Sequence, residues 1–240
     1  MGSTESRPTG GSRIPLVSMN LLFKKLEASP LLARVAPFVI FVALTFCQGQ
    51  FGDASRYWFY LGKTIVGAWL IWTVWTLVAE MRWKFSWEAI VVGVAVFGVW
   101  VGLNDYYPKI GKTGPPWNPH EAFGTGSVLA WMFLIVRIVG SAIVVPPLEE
   151  VFYRSFLYRY VTRPDFQSVP LGRFSWMPFL VTAAVFGFAH NEWLAGIVCA
   201  FVYQGLVCWK KRLGDAMTAH AITNFLLGIW VVWKGAWQFW

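Results

Sequence analysis

Between Ser127 and Val145 the chain runs for about twenty residues with one charged side chain, Arg137, and this is the length an α-helix needs to cross the hydrocarbon core of a bilayer. The run PPLEEVFYR follows at once, placing Glu149, Glu150 and Arg154 against that apolar stretch. Charges at membrane depth are costly unless paired, and those retained there are usually functional. The chain therefore has to fold so that these groups face one another or a polar cavity.

Composition supports a membrane setting. The 240 residues are 57% hydrophobic and only 13% charged, with a mean hydropathy of +0.52. Soluble domains carry about 25% charged residues. Sixteen tryptophans suit the headgroup boundary, where amphipathic indoles concentrate. The net charge of +8 does not indicate nucleic acid, because no basic stripe is interleaved with aromatics. Lys and Arg fall mainly at the ends of apolar segments, where they attract anionic lipid and set topology. Cys47, Cys199 and Cys208 are odd in number and none are in C-x-x-C spacing, so neither a disulfide framework nor a thiolate zinc site is indicated.

Residues 1–30 contain Ser, Gly, Pro and the basic residues Arg7, Arg13, Lys24 and Lys25, and read as a disordered cytoplasmic leader. Their hydrophobic core comes too late for a cleavable signal peptide. MGSTES fits the short pattern for myristoylation at Gly2. Beyond the leader, apolar segments read as helices at about 31–50, 57–79, 87–103, 127–147, 149–162, 176–190, 193–209 and 214–233. The chain thus divides into N-terminal transmembrane helices and a loop (31–124) and a second helical core (125–240). The second and fourth segments are full spans. The piece at 149–162 is too short to be one, and reads as a continuation of the preceding helix past a break at Pro146–Pro147, or as a half-buried helix. Basic stretches in the leader, at 82–84, 159–173 and 210–212 all fall on one side if the amino terminus is cytoplasmic, with 104–124 on the other.

The polar residues carry the chemistry. Glu150 and Arg154 are four apart, on one helical face, as an ion pair. Glu149 is rotated about 100° away, free to face a cavity, where desolvation makes a carboxylate a better proton acceptor. The same pair could equally be a tie between helices. His190, in FGFAHNEW, suits either packing or catalysis. His220 and Asn224 are again four apart, and an imidazole with a carboxamide suits a developing oxyanion or an oriented water. Histidine with carboxylate could also bind zinc, although the helical HExxH pattern is absent. Glu192 and His120 read as solvated, Arg137 as structural with a carboxylate or backbone carbonyl for a partner, and Lys63 as snorkelling from a helix end.

The ordered set E-E-x-x-x-R (Glu149, Glu150, Arg154), F-x-x-x-H (Phe186, His190) and H-x-x-x-N (His220, Asn224) resembles the intramembrane proteases of the CAAX-protease and bacteriocin-processing family, over about 145–230. PPLEEVFYRSFLYRY, the downstream PDF and VPLG, and HNEWLAG are similar to its bacterial CAAX-prenyl-protease-related branch, which accompanies exosortase (PEP-CTERM) sorting systems. The resemblance implies an all-α polytopic membrane protein of about seven or eight helices with an intramembrane polar cavity, integral to a bacterial inner membrane. It also implies a peptidase acting on a membrane-anchored protein or peptide. Carried over by position, Glu149 activates water, His190 orients it, His220 and Asn224 stabilise the oxyanion, and Glu150 with Arg154 holds geometry and charge. This glutamate mechanism needs no cofactor, while zinc remains compatible with the same residues. The opposing reading is a membrane scaffold or transporter-like binding protein that uses these side chains as helix ties.

Overall fold

A computed structural model describes residues 23–111 and 116–240. The Gly2 pattern and most of the expected leader lie outside the described residues. Residues 23–28 already form a helical turn, and Leu26 packs into the core, so helical structure begins before residue 30.

Seven apolar helices follow: α1 (Pro30–Phe46), α2 (Ser55–Val74), α3 (Trp87–Gly102), α4 (Val128–Thr162), α5 (Trp176–Phe188), α6 (Trp193–Lys210) and α7 (Gly214–Lys234). Their starts are set by local chemistry. Ser29, Ser86 and Ser127 accept from the backbone N–H groups of Leu32, Ala89 and Ala130, which satisfies donors that the first turn of a helix leaves free. Among the described residues, α4, α6 and α7 are long and apolar enough to cross a membrane. Trp72, Phe85, Trp87, Val128 and Trp176 are among the large apolar side chains left exposed, as expected where lipid replaces water. The protein is an all-helical integral membrane protein.

Helix α2 has the length of a span but a lower hydropathy than α4, α6 and α7. One expectation about α4 needs correction. The Pro146–Pro147 pair does not break α4, which continues for 35 residues, about 52 Å at the α-helical rise. A π-helical stretch at Gly140–Val144 precedes the prolines and another at Val151–Leu157 follows them. The Val145 N–H reaches back to the Gly140 carbonyl, and Pro146 has no N–H to donate. The Ser141 carbonyl is thereby left without a helical donor, and the Asn224 side chain supplies one at 2.9 Å.

The bundle is held by close backbone approaches and by polar ties at one end. Helix α7 packs chiefly on α3. A Cβ at Gly93 would lie 2.6 Å from the Ala219 carbonyl oxygen, and the Thr223 hydroxyl donates to the Gly93 carbonyl at 2.8 Å. Small residues permit such contact where no hydrophobic force separates helix from lipid. At one end, Glu80 takes a two-pronged bond from Arg34 at 2.8 and 2.9 Å, a contact from Arg159 at 3.1 Å and a hydrogen bond from Ser155. Nearby, Asp215 pairs with Arg212 and accepts from Ser86, while Lys210 pairs with Glu88. At the other end, the Ile110 N–H donates to the Asn191 carbonyl and the Trp193 indole to the Pro108 carbonyl. The basic stretches around 82–84, 159–173 and 210–212 therefore share an end, and the 104–111 and 116–124 segments lie at the opposite one.

Two predictions follow from this packing. Gly93→Ala should destabilise the detergent-solubilised protein by about 1–3 kcal/mol, the usual cost of overpacking, whereas Gly98→Ala on the same helix, with open space around it, should leave the melting temperature unchanged or raised. Burial pushes the Glu80 carboxyl up, but the hydrogen bond and charge of Arg34, with the Ser155 bond, outweigh it and hold the group below the usual range. A depressed carboxylate stabilises fully above its unfolded value of about 4.3 and loses that contribution as pH falls through the folded one. Wild-type melting temperature should therefore drop more steeply on acidification below about pH 4.3 than that of Glu80→Gln.

Candidate active site

The residues singled out by spacing come together from α4, α7 and the turn that follows α5. Glu149, His190, His220 and Asn224 line one cavity of about 610 Å³. Glu150 and Arg154 stand behind its wall, fully enclosed. The helical period explains the division: Glu149 is one residue, about 100°, from Glu150, so one carboxylate turns to the cavity and the other into the protein.

The enclosed pair is anchored from both sides. Glu150 Oε2 lies 3.3 Å from Arg154 Nε, and the His220 ring donates from Nδ1 to Glu150 Oε1 at 2.9 Å. The Arg154 guanidinium sits 4.4 Å over the Phe186 ring, which compensates part of its lost hydration. Tyr203 stacks on His220 at 5.2 Å and donates to the Thr223 hydroxyl at 2.7 Å. With Nδ1 held by a carboxylate, His220 presents Nε2 to the cavity. That nitrogen accepts a hydrogen bond as the neutral ring and donates as the cation. Glu149 Oε2 is 3.9 Å from it, too far for a direct hydrogen bond. His190 donates Nδ1–H to the Phe186 carbonyl at 2.7 Å, so its Nε2 is an acceptor. Asn224 spends one amide N–H on Ser141 and keeps the second N–H and its oxygen for the cavity.

These groups can accept a proton from water, orient it and donate to developing negative charge. Among the described residues, no group of three or more His, Cys, Asp and Glu side chains is placed to hold a metal ion. Glu150 and the two Nδ1 atoms are already engaged, which leaves Glu149 and two Nε2 atoms as the free donors near the cavity.

Four other expectations are revised. Glu192 is half-buried on the cavity wall rather than solvated, and burial pushes its carboxyl up. His120 is half-buried with its ring against Trp131. Lys63 does not snorkel: it is 7% exposed, in the buried face Tyr57–Tyr60–Lys63–Gly67–Leu70 of α2, and lines the cavity. Arg137 meets no carboxylate among the described residues, and its guanidinium lies over the rings of Tyr60, Trp117 and Trp240. Tyr203, Thr223 and the Ser141 carbonyl, which position His220 and Asn224, were missed. Of these, only the helical offset of Thr223 from His220 leaves a trace in the sequence.

The buried pair and the cavity carboxylate should respond differently to neutralisation. Glu150→Gln and Arg154→Met each strand an uncompensated or under-bonded partner, so each should cost about 3–5 kcal/mol. Glu149→Gln, outside these ion pairs, should change the melting temperature little. Thermal unfolding of the three purified variants checks this directly.

Residues 131–226 match the family described as type II CAAX prenyl endopeptidase Rce1-like. No curated protein and no solved structure matches the chain. The matched stretch takes in all six residues of the candidate site and gives no support to the finer exosortase-associated branch. Residues 131–226 are thus similar to the Rce1-like type II CAAX prenyl endopeptidases, a family of proteases.

Proposed function

We propose that the protein is an intramembrane endopeptidase that hydrolyses a peptide bond of a membrane-anchored protein by a glutamate-activated water. The observation that carries this reading is the division between adjacent carboxylates: Glu150 enclosed with Arg154 and His220, and Glu149 turned to the cavity beside His190, His220 and Asn224. Glu149 takes a proton as water attacks the carbonyl carbon. His190 Nε2 accepts from the same water and fixes its approach. The oxyanion accepts from the free N–H of Asn224 and, with the His220 ring in its protonated form, from Nε2–H. The proton on Glu149 then passes to the leaving amine as the C–N bond breaks. Donors fixed before reaction need no reorganisation as charge develops, and here Glu150, Tyr203 and the Ser141 carbonyl do the fixing.

The substrate we favour is a membrane-anchored sorting-signal protein, on the resemblance of HNEWLAG and the neighbouring motifs to the exosortase-associated branch. Prenylation of the substrate is not required by this reading. The basic end of the bundle, with Arg34, Arg159 and Lys210 to Arg212, would face the cytoplasm.

Cleavage of anchored reporter peptides by Glu149→Gln should fall by about 10²–10⁴, the usual worth of a positioned base, with folding intact. Wild-type turnover by that variant would remove the mechanism and favour the scaffold reading.

A further inference from the structure

The cavity of the candidate site is closed toward one end of the bundle and open toward the other. By helical rise, His220 lies about 9 Å from the start of α7, where Arg212 and Asp215 pair, and about 21 Å from its finish at Lys234. The shorter way out is filled. The lining residues nearest the basic end are Tyr153, Tyr203 and His220, each 5% exposed or less. Further along the same three helices come Ser155, Val207 and Met217, which do not line the cavity and are fully buried. Past Ser155 lies the Glu80 junction, with Arg34 and Arg159, which ties α1 and α4 to the 75–86 segment.

The longer way is open. Thr45 and Phe46, where α1 finishes, and Ala189, in the turn between α5 and α6, line the cavity and are exposed. Helix α1 runs away from Arg34 at the basic end, and the turn after α5 meets the 104–111 segment at the other, where the Ile110 N–H donates to the Asn191 carbonyl. A second cavity of about 350 Å³ lies there, lined by Asn104, Asp105, Lys109, Asn191 and Glu192 among others. Glu192 belongs to the walls of both cavities. A polar vestibule thus adjoins the site on the side of His190, two residues before Glu192.

We propose that the cavity faces away from the cytoplasm, and that the substrate is a chain already carried across the membrane. This rests on the protease reading. Lys and Arg in short loops mark the cytoplasmic side of a membrane protein. Arg82, Lys84, Arg163, Arg173, Lys211 and Arg212 stand in the loops of the closed end. The connections of the open end add only Lys109 and Lys112, both between α3 and α4. Six against two puts the closed end in the cytoplasm. The bond to be cut then reaches Glu149 from the opposite face. The water consumed in hydrolysis enters by the same vestibule, because the hydrocarbon core supplies none. Translocation is therefore the reaction that supplies the substrate: the segment has left the cytoplasm before it meets the enzyme. A protein held on the cytoplasmic leaflet by a lipid anchor alone does not qualify.

Cysteine accessibility tests this without a substrate. Val145 lines the cavity one turn before Glu149, and Val145→Cys is made in a background of Cys47→Ser, Cys199→Ala and Cys208→Ala. Gln50→Cys and Gln167→Cys, at exposed positions in that background, mark the open and the closed end. Sulfonatoethyl methanethiosulfonate, a charged thiol reagent that does not cross a bilayer, is applied to spheroplasts and to inverted vesicles. Unreacted thiols are then counted by a maleimide gel shift after unfolding. Val145→Cys should react in spheroplasts, together with Gln50→Cys, and stay unreacted in inverted vesicles, where Gln167→Cys reacts. Reaction of Val145→Cys from the vesicle exterior, from both sides or from neither overturns the proposal, as does reaction of Gln50→Cys from the cytoplasmic side. Ser141→Cys, on the same wall, repeats the measurement where Val145→Cys does not fold. Cleavage of an anchored reporter peptide by wild type is assayed in parallel. One-sided labelling without cleavage would sustain the outward opening and sink the protease reading. Cleavage with labelling from the vesicle exterior would do the reverse, so the two fail separately.

Discussion

The site depends on one enclosed interaction, the Glu150–Arg154 pair with His220 bonded to the same carboxylate. Two charges withdrawn from water are favourable only if geometry and extra hydrogen bonds offset desolvation. Here the imidazole of α7 bonds the carboxylate, while the Arg154 guanidinium, with no hydrogen bond among the described residues, is offset by the charge of Glu150 within α4 and by the Phe186 face of α5. Withdrawing α7 or α5 takes the imidazole bond or the ring face from a charge pair that lies within α4 itself. The cavity carboxylate, Glu149, inherits a fixed setting without belonging to the pair that fixes it.

Helix α4 supplies most of the geometry. Adjacent prolines should interrupt a helix, yet α4 absorbs them with a π-helical turn on each side. One carbonyl freed by that arrangement, on Ser141, orients Asn224. Arg137, Ser141, Val145 and Glu149, at steps of four along α4, all line the cavity. Such π-helical turns recur at functional sites, and in this chain one of them lies a few residues before Glu149.

Much of the candidate site was legible because the helical period acts over four residues. Glu150 with Arg154, and His220 with Asn224, could be assigned to shared faces from spacing alone, and Glu149 to a different one. Which helices face one another is not written locally. The burial of Lys63 depends on α1 and α4 packing across α2, and a lone lysine in an apolar segment looks the same whether it snorkels or lines a cavity. The Glu80 junction was missed because Arg34, Glu80, Ser155 and Arg159 are distant in sequence. The unbroken course of α4 was missed for a different reason: whether a proline pair ends a helix depends on neighbouring side chains that can satisfy the freed carbonyls. Asn224, on another helix, is one of those.

Whether water is activated by the carboxylate alone is the point on which the mechanism turns. Turnover of an anchored peptide by the purified wild-type protein, measured alongside its metal content before and after exhaustive chelation, tests it most directly. The account predicts undiminished turnover at metal contents far below one ion per chain. Activity that disappears on chelation and returns with one equivalent of zinc would contradict it, making Glu149 and the free imidazole nitrogens ligands rather than base and positioning groups.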